Sequence, residues 1–255
     1  DGVSGAIGSD TACLPPAPVL DCAAGGESMT ALVTLENVSM RFALESDSQH
    51  SVFNGVTLSL NAGERLGLLG RNGSGKSTLL RIMARIYEPT SGRVAWAPGV
   101  SVSLLSLGLG FRWDLSGRDN ALLSCMLMGL SRKDALSSLD RIESFCEIDQ
   151  FFDEPVHTYS AGMRARLGFG TALMNRSQVI LIDETLSVGD AFFRNKARAA
   201  LEDGLMADRA VVLVSHAEGQ IKRLCSRAVL LEGGEISKEG SPTEVLEVYS
   251  RHQNQ

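Results

Sequence analysis

Gly70-Arg71-Asn72-Gly73-Ser74-Gly75-Lys76-Ser77 is glycine, four residues, then Gly-Lys-Ser, and Thr78 follows it. The octet stands between a short apolar run, Arg65-Leu66-Gly67-Leu68-Leu69, and a stretch in which Leu79, Ile82, Met83 and Ile86 fall at helical spacing. Strand, glycine loop and helix are the context in which this pattern binds phosphate. The glycines let consecutive backbone N–H groups face an anion, at a helix N-terminus that favours negative charge. Lys76 can reach the β and γ phosphates of a nucleotide, and the Ser77 hydroxyl can ligate Mg²⁺.

Working outward, Val179-Ile180-Leu181-Ile182-Asp183-Glu184 is an apolar strand that ends in two carboxylates. In a parallel sheet ligands gather at the carboxyl ends of strands, so Asp183 is expected to hold Mg²⁺ and Glu184 to orient or deprotonate an attacking water. Tyr159-Ser160-Ala161-Gly162-Met163 precedes a helical pattern, which makes Ser160 an N-cap with anion-binding N–H groups behind it. His216 ends the strand Val211 to Val214 plus Ser215.

The flanking pattern builds an α/β fold. Leu32 to Val38 and Val52 to Leu60 read as an antiparallel element, with a turn at Asn61-Ala62-Gly63. Residues 117–148 carry two helical stripes, Leu122, Leu123, Met126, Leu127, Leu130 and then Leu136, Leu139, Ile142, Phe145, which read as a helical insertion. A helix from Phe192 to Met206 lies between the strands at 179 and 211. Strands alternating with helices imply a mainly parallel sheet covered on both faces.

Composition agrees with a folded domain: 255 residues, 44% hydrophobic and 21% charged. A net charge of −6 with no basic patch argues against a nucleic-acid partner. The five cysteines include no C-x-x-C pair and the four histidines no paired spacing, so neither a disulfide framework nor a histidine metal site is suggested. The uncharged stretch Val94 to Phe111 is interrupted by Pro98, Gly99, Gly108 and Gly110 and alternates like a strand, against a membrane span. No Lys or Arg precedes Arg41, unlike a secretory signal. Residues 1–28 read as a disordered or non-native extension with Met29 as the natural start, 29–250 as the folded domain with a helical subdomain at about 112–175, and 251–255 as a tail.

Taken in order, these motifs resemble the ATP-binding subunit of an ABC transporter, from about Leu32 to Ser250. The resemblance implies a P-loop (RecA-like) core with an antiparallel β subdomain and a helical insertion, binding ATP and Mg²⁺. It places Gly70, Asn72, Gly73, Ser74, Gly75, Lys76, Ser77 and Thr78 around the nucleotide, with Lys76, Glu184 and His216 serving hydrolysis and Ser77 and Asp183 holding the metal. Ser160, Ala161 and Gly162 look like the signature motif that meets the γ-phosphate held by an opposite subunit. Leu186 to Asp190 looks like the D-loop, and Phe42 like the aromatic residue that stacks on adenine. A signature acting in trans implies a homodimer with two ATPs sandwiched head to tail.

Leu104 to Phe111, Leu115 to Asn120, Tyr159 to Leu167 and Leu181 to Asp190 further resemble the polysaccharide-export subfamily of capsule, O-antigen and teichoic-acid exporters. That likeness implies a separate ABC-2-type permease, membrane contact through that permease, and a place on the cytoplasmic side of the bacterial inner membrane. An ABC ATPase of an importer or small-molecule exporter, or a non-transport ABC ATPase, is the alternative. A GTPase is disfavoured by the lack of an Asn-Lys-x-Asp motif. Three positions depart from the general pattern: Ala161 stands where glycine is usual, Met163 where glutamine is common although methionine is usual in the polysaccharide subfamily, and Ser106 where a glutamine or glutamate should reach metal and water. The 15 residues from Ser241 lead us to expect no C-terminal carbohydrate-binding domain.

Overall fold

The computed structural model describes residues 31–43, 49–105, 110–183, 191–201, 208–215 and 217–253. Two long strands, β1 (Ala31–Ala43) and β2 (Gln49–Asn61), open the fold, followed by β3 (Arg65–Leu69), α1 (Lys76–Met83), β4 (Ser91–Trp96) and β5 (Val102–Leu105). Then come α2 (Gly117–Leu127), α3 (Arg132–Cys146), α4 (Ala161–Ala172), β6 (Val179–Asp183), α5 (Ala191–Ala200), β7 (Ala210–Val214), α6 (Glu218–Leu224), β8 (Arg227–Glu232), β9 (Glu235–Gly240) and α7 (Pro242–Gln253).

The strands form two sheets. One is antiparallel, in the order β2-β1-β4, and the other has the order β5-β6-β7-β3-β8-β9. In the second, every pairing from β5 to β8 is parallel, and β9 joins as an antiparallel edge. The carboxyl ends of β5, β6, β7, β3 and β8 therefore share one edge, where ligand loops of a parallel sheet collect. β3 and β6 to β8 are apolar along their length because both faces are covered.

One hydrophobic core lies between the two sheets and takes in α1, with Phe53, Leu58, Leu68, Leu79 and Val212 among its buried members. A second fills the opposite face of the parallel sheet beneath α5, α6 and α7. A third belongs to the helical lobe, where Ala121, Cys125, Leu139, Ile142, Phe152 and Leu167 pack together. The Glu64 carboxylate joins three strands at the base of the sheets. It accepts from Asn61 N at 2.8 Å and from Arg227 Nε at 2.6 Å, and Arg227 also reaches the Ser59 carbonyl.

Several local expectations change. α1 ends at Met83, and Arg85 takes φ 61°, so Ile86 leaves the helical stripe and is exposed. The run at 117–148 is two helices broken at Gly129. In α2 the buried face is Asn120, Ala121, Ser124 and Cys125, while Leu123, Met126 and Leu127 point outward, Leu127 being 77% exposed. In α3 Leu139 and Ile142 are buried as the stripe requires, but Leu136 is exposed. None of β4, β8, β9, α6 and α7 is predicted from the sequence. No helix among the described residues is long and apolar enough to cross a membrane.

Candidate active site

The phosphate loop leaves the carboxyl end of β3 and turns into α1 at Gly75, whose φ of 99° belongs to the left-handed region. A Cβ on Gly75 would lie 2.7 Å from Val52 Cγ1, and one on Gly70 would lie 2.4 Å from the Leu231 carbonyl oxygen and 2.6 Å from Ser74 Oγ. The loop is thus clamped between β2 and β8 and admits no side chain at either position. Asn72 and Gly73 form its exposed crest, and Ser77 and Thr78 are half-buried in the first turn of α1.

Lys76 is 8% exposed and curls back over the loop, its Nζ donating to the carbonyls of Gly70 at 2.8 Å and Arg71 at 2.9 Å. Burial pushes its ammonium below the ordinary lysine value, and the charge of Asp183 opposes that shift. Lysine and carboxylate thus feel each other across the sheet edge, although β7 separates β6 from β3. A cation held over a glycine loop at a helix N-terminus is built to receive a polyphosphate.

Ser74 Oγ supplies an independent sign of the ligand: it is buried and has no hydrogen-bond partner among the described residues. A buried hydroxyl without a partner is costly, and a phosphate oxygen in the loop would satisfy it. The residues therefore fit a nucleotide triphosphate. For the metal, the described residues contain no cluster of three His, Cys, Asp or Glu side chains. Ser77 and Asp183 fit Mg²⁺, which is commonly bound by one or two protein oxygens together with substrate phosphates and water.

Phe42, near the end of β1, is 37% exposed and meets Tyr87 edge-on, with centroids 5.8 Å apart. Its free ring surface suits stacking on a base. Tyr87 and Tyr249 were not singled out from sequence. Tyr249 is buried under the phosphate loop on α7, its hydroxyl 3.5 Å from the Gly70 carbonyl. Neither belongs to a motif, and each is found through packing.

Ser160 caps α4, its Oγ accepting from Met163 N at 3.2 Å, and Ala161 and Gly162 form the first turn. The preceding Tyr159 is buried and donates its hydroxyl to the Phe151 carbonyl, which fixes the chain as it enters the cap. Ser160 and Gly162 open on a cavity of about 590 Å³ whose other lining includes Glu147, Asp149, Phe151 and Arg166, with no residue of the phosphate loop. The structure thus gathers Lys76, Ser77 and Asp183 at one edge and presents Ser160 and Gly162 elsewhere. Ser106, Glu184, the segment Leu186 to Asp190, and His216 lie outside the described residues. Ser106 and Glu184 directly follow β5 and β6, and His216 follows β7 after Ser215.

A family model described as ABC transporter matches residues 53–187. The O-antigen export system ATP-binding protein RfbB of Myxococcus xanthus is 41% identical over 76% of this chain, which spans 44% of that protein. The protein of the same name from Klebsiella pneumoniae is 35% identical over 82% of this chain, which spans 85% of it. Among solved structures, a dimeric ATP-binding cassette in a post-hydrolysis state bound to ADP and Pi superposes with a TM-score of 0.67 at 21% identity, covering 82% of this chain and 98% of that one. That likeness concerns the fold, and the family model and the sequence relatives carry the kinship: the chain belongs to the ABC transporter family.

Proposed function

We propose that this chain hydrolyses ATP as the nucleotide-binding subunit of an exporter that moves a cell-surface polysaccharide or lipid-linked glycan through a separate membrane permease of the ABC-2 type. The observation that carries the ATPase reading is the division of the site. The phosphate loop has a lysine, a carboxylate facing it from the end of β6 and a buried hydroxyl without a partner among the described residues, whereas the capped signature turn opens on a cavity with no residue of that loop. Two chains placed head to tail would close each nucleotide between one loop and the other chain's Ser160 and Gly162. The solved cassette of the same fold is itself dimeric.

In such a dimer Lys76 and the loop N–H groups hold the β and γ phosphates, Phe42 stacks on adenine, and Ser77 and Asp183 hold Mg²⁺, which would offset charge on the phosphates. Glu184 takes a proton from the attacking water, the bond from Pγ to the ADP oxygen breaks, and His216 and Asp190 border the γ-phosphate. The domain spans residues 29–250 with the helical part at about 112–175. It sits peripherally on the cytoplasmic face of the bacterial inner membrane and touches it through the permease. The outward apolar face of α2, Leu123, Met126 and Leu127, with exposed Trp113 nearby in sequence, offers a surface for that partner. The glycan cargo is supported by the names of the relatives and by the subfamily-like wording of residues 104–120 and 159–190.

Two arms test the reading. Glu184→Gln should trap an ATP-bound dimer, seen by light scattering at saturating Mg-ATP, and a persistent monomer would count against the sandwich. In cells of the source organism, Lys76→Ala should leave lipid-linked glycan on the cytoplasmic face. An unchanged glycan pool alongside active ATP hydrolysis by the intact protein would retain the ATPase and reject this cargo.

A further inference from the structure

Two donors approach the carbonyl of Gly70 at unequal distances. Lys76 Nζ donates to it at 2.8 Å, and the Tyr249 hydroxyl of α7 faces it at 3.5 Å in a buried contact. An O–H···O bond is ordinarily about 2.7–2.8 Å long, so the phenol stands back from a full bond by about 0.7 Å. Tyr249 is 5% exposed, and a buried phenol normally secures a partner. Among the described residues the acceptor in front of it is this carbonyl, already taken by an ammonium.

The helix that carries Tyr249 is braced against the strand end that flanks the loop. Val245 and Leu246 of α7 are buried in the core beneath the parallel sheet, and His252 Nδ1 lies 2.7 Å from Glu232 Oε2 at the end of β8. The neighbouring Leu231 carbonyl is the one that closes on Gly70. Phosphate loop and tyrosine thus share one support, while Lys76 is the movable partner. Its ammonium has three N–H donors, of which the Gly70 and Arg71 carbonyls occupy two. Reaching both a β and a γ phosphate requires two, so a carbonyl must be released. The Arg71 carbonyl also accepts from Ser74 N at 3.1 Å and needs no substitute. The buried Gly70 carbonyl does, because losing its donor without replacement is costly.

Resting on the reading of this loop as a nucleotide site, we infer that Tyr249 is a positioning residue that takes over the Gly70 carbonyl when Lys76 leaves it for phosphate. The loop then keeps its shape in both states, and no proton changes owner. The exchange makes the value of the hydroxyl depend on the lysine. With Lys76 in place, the hydroxyl contributes little to the empty chain and its full bond to the nucleotide-bound one. With Lys76 gone, it bonds to Gly70 in both states, so it supports the fold and no longer favours the ligand.

The test is a double-variant cycle in the full chain: wild type, Tyr249→Phe, Lys76→Met and the two combined. Mg-ADP affinity is measured by calorimetry and the unliganded thermal midpoint by fluorimetry. Tyr249→Phe alone should weaken Mg-ADP roughly 2- to 12-fold, the range of one neutral hydrogen bond, and move the unliganded midpoint by about 1 °C or less. In the Lys76→Met background the pattern should reverse. There the same substitution should leave Mg-ADP affinity within about twofold, and lower the unliganded midpoint by roughly 1–6 °C more than it does in the wild type. Equal effects in the two backgrounds would overturn the hand-over and leave Tyr249 a packing residue, as would an unchanged Mg-ADP affinity in Tyr249→Phe. A wild type that binds no Mg-ADP would overturn the nucleotide reading itself, and the hand-over with it, before any variant is compared.

Discussion

Lys76→Met separates what the phosphate loop does for the fold from what it does for a ligand. In the nucleotide-free chain the ammonium is buried, and its two bonds to the Gly70 and Arg71 carbonyls oppose the cost of desolvation. Methionine keeps the stem, frees two carbonyls and removes the buried charge, so the unliganded thermal midpoint should move by no more than a few degrees. Binding is another matter. Hydrogen bonds to a charged group contribute about 1.5–3 kcal/mol, so losing the lysine should weaken nucleotide binding roughly 10- to 150-fold. At a nucleotide concentration of 100 times Kd, ligand stabilisation is about 2.7 kcal/mol. For a chain of this size that is a rise of roughly 5–11 °C. At the same concentration the variant should retain about 0.3–1.4 kcal/mol, or roughly 1–6 °C. Differential scanning fluorimetry with and without Mg-ADP reads both numbers. A full shift in the variant would mean that phosphate does not sit where Lys76 reaches, and a collapse of the unliganded midpoint would make Lys76 a structural clamp. A pH series checks the sign. Because the folded-state value is lowered, the charged lysine destabilises the fold at pH below that value, and the penalty is relieved as pH climbs from it toward 10.5. The wild type should therefore gain on the methionine variant across that window.

Two further expectations concern the packing around the site. Asn120 is 1% exposed and ties down the segment before α2, its Oδ1 accepting from Arg112 N at 2.7 Å and its Nδ2 donating to the carbonyls of Arg112, Leu115 and Ser116. Asn120→Ala should cost about 3 kcal/mol, or roughly 6–12 °C in thermal midpoint, without changing Mg-ADP affinity; a loss under about 2 °C would show that water replaces the amide. Burial pushes the Cys125 thiol up to about 11 and those of Cys146 and Cys225 up to about 12, from an ordinary 9.0. The unfolded chain ionises first, so stability should fall as pH rises from about 9 toward 12, by about 1.4 kcal/mol per thiol for each unit between the two values. Urea midpoints at pH 8 and pH 10 should converge in a variant with all three cysteines replaced by alanine, and an equal decline there would assign the effect to other groups.

How far the sequence could be read depended on whether a residue's role was local. The phosphate loop, the apolar strand ending at Asp183 and the Ser160 cap are each set by a few adjacent residues, and each stands where those residues predict. β9 is an edge strand with one neighbour and an almost wholly polar sequence, Glu-Ile-Ser-Lys-Glu-Gly, so no alternation marked it. Its signal was the turn at Gly233-Gly234 after an apolar run. The stripe in α2 marks the helix but not its buried face, for a more instructive reason. That helix enters the core shared with α3 and α4 through Ala121 and Cys125, small side chains that let helices approach closely, while the buried Asn120 reaches the backbone of residues 112–116. Its larger apolar residues were free to face outward. Periodicity reports that a face is apolar and not what covers it, and a stripe taken for core within one chain is equally the mark of a surface completed by another. In the dimer proposed above the same holds for Ser160 and Gly162, which line a cavity that no residue of their own chain's phosphate loop enters.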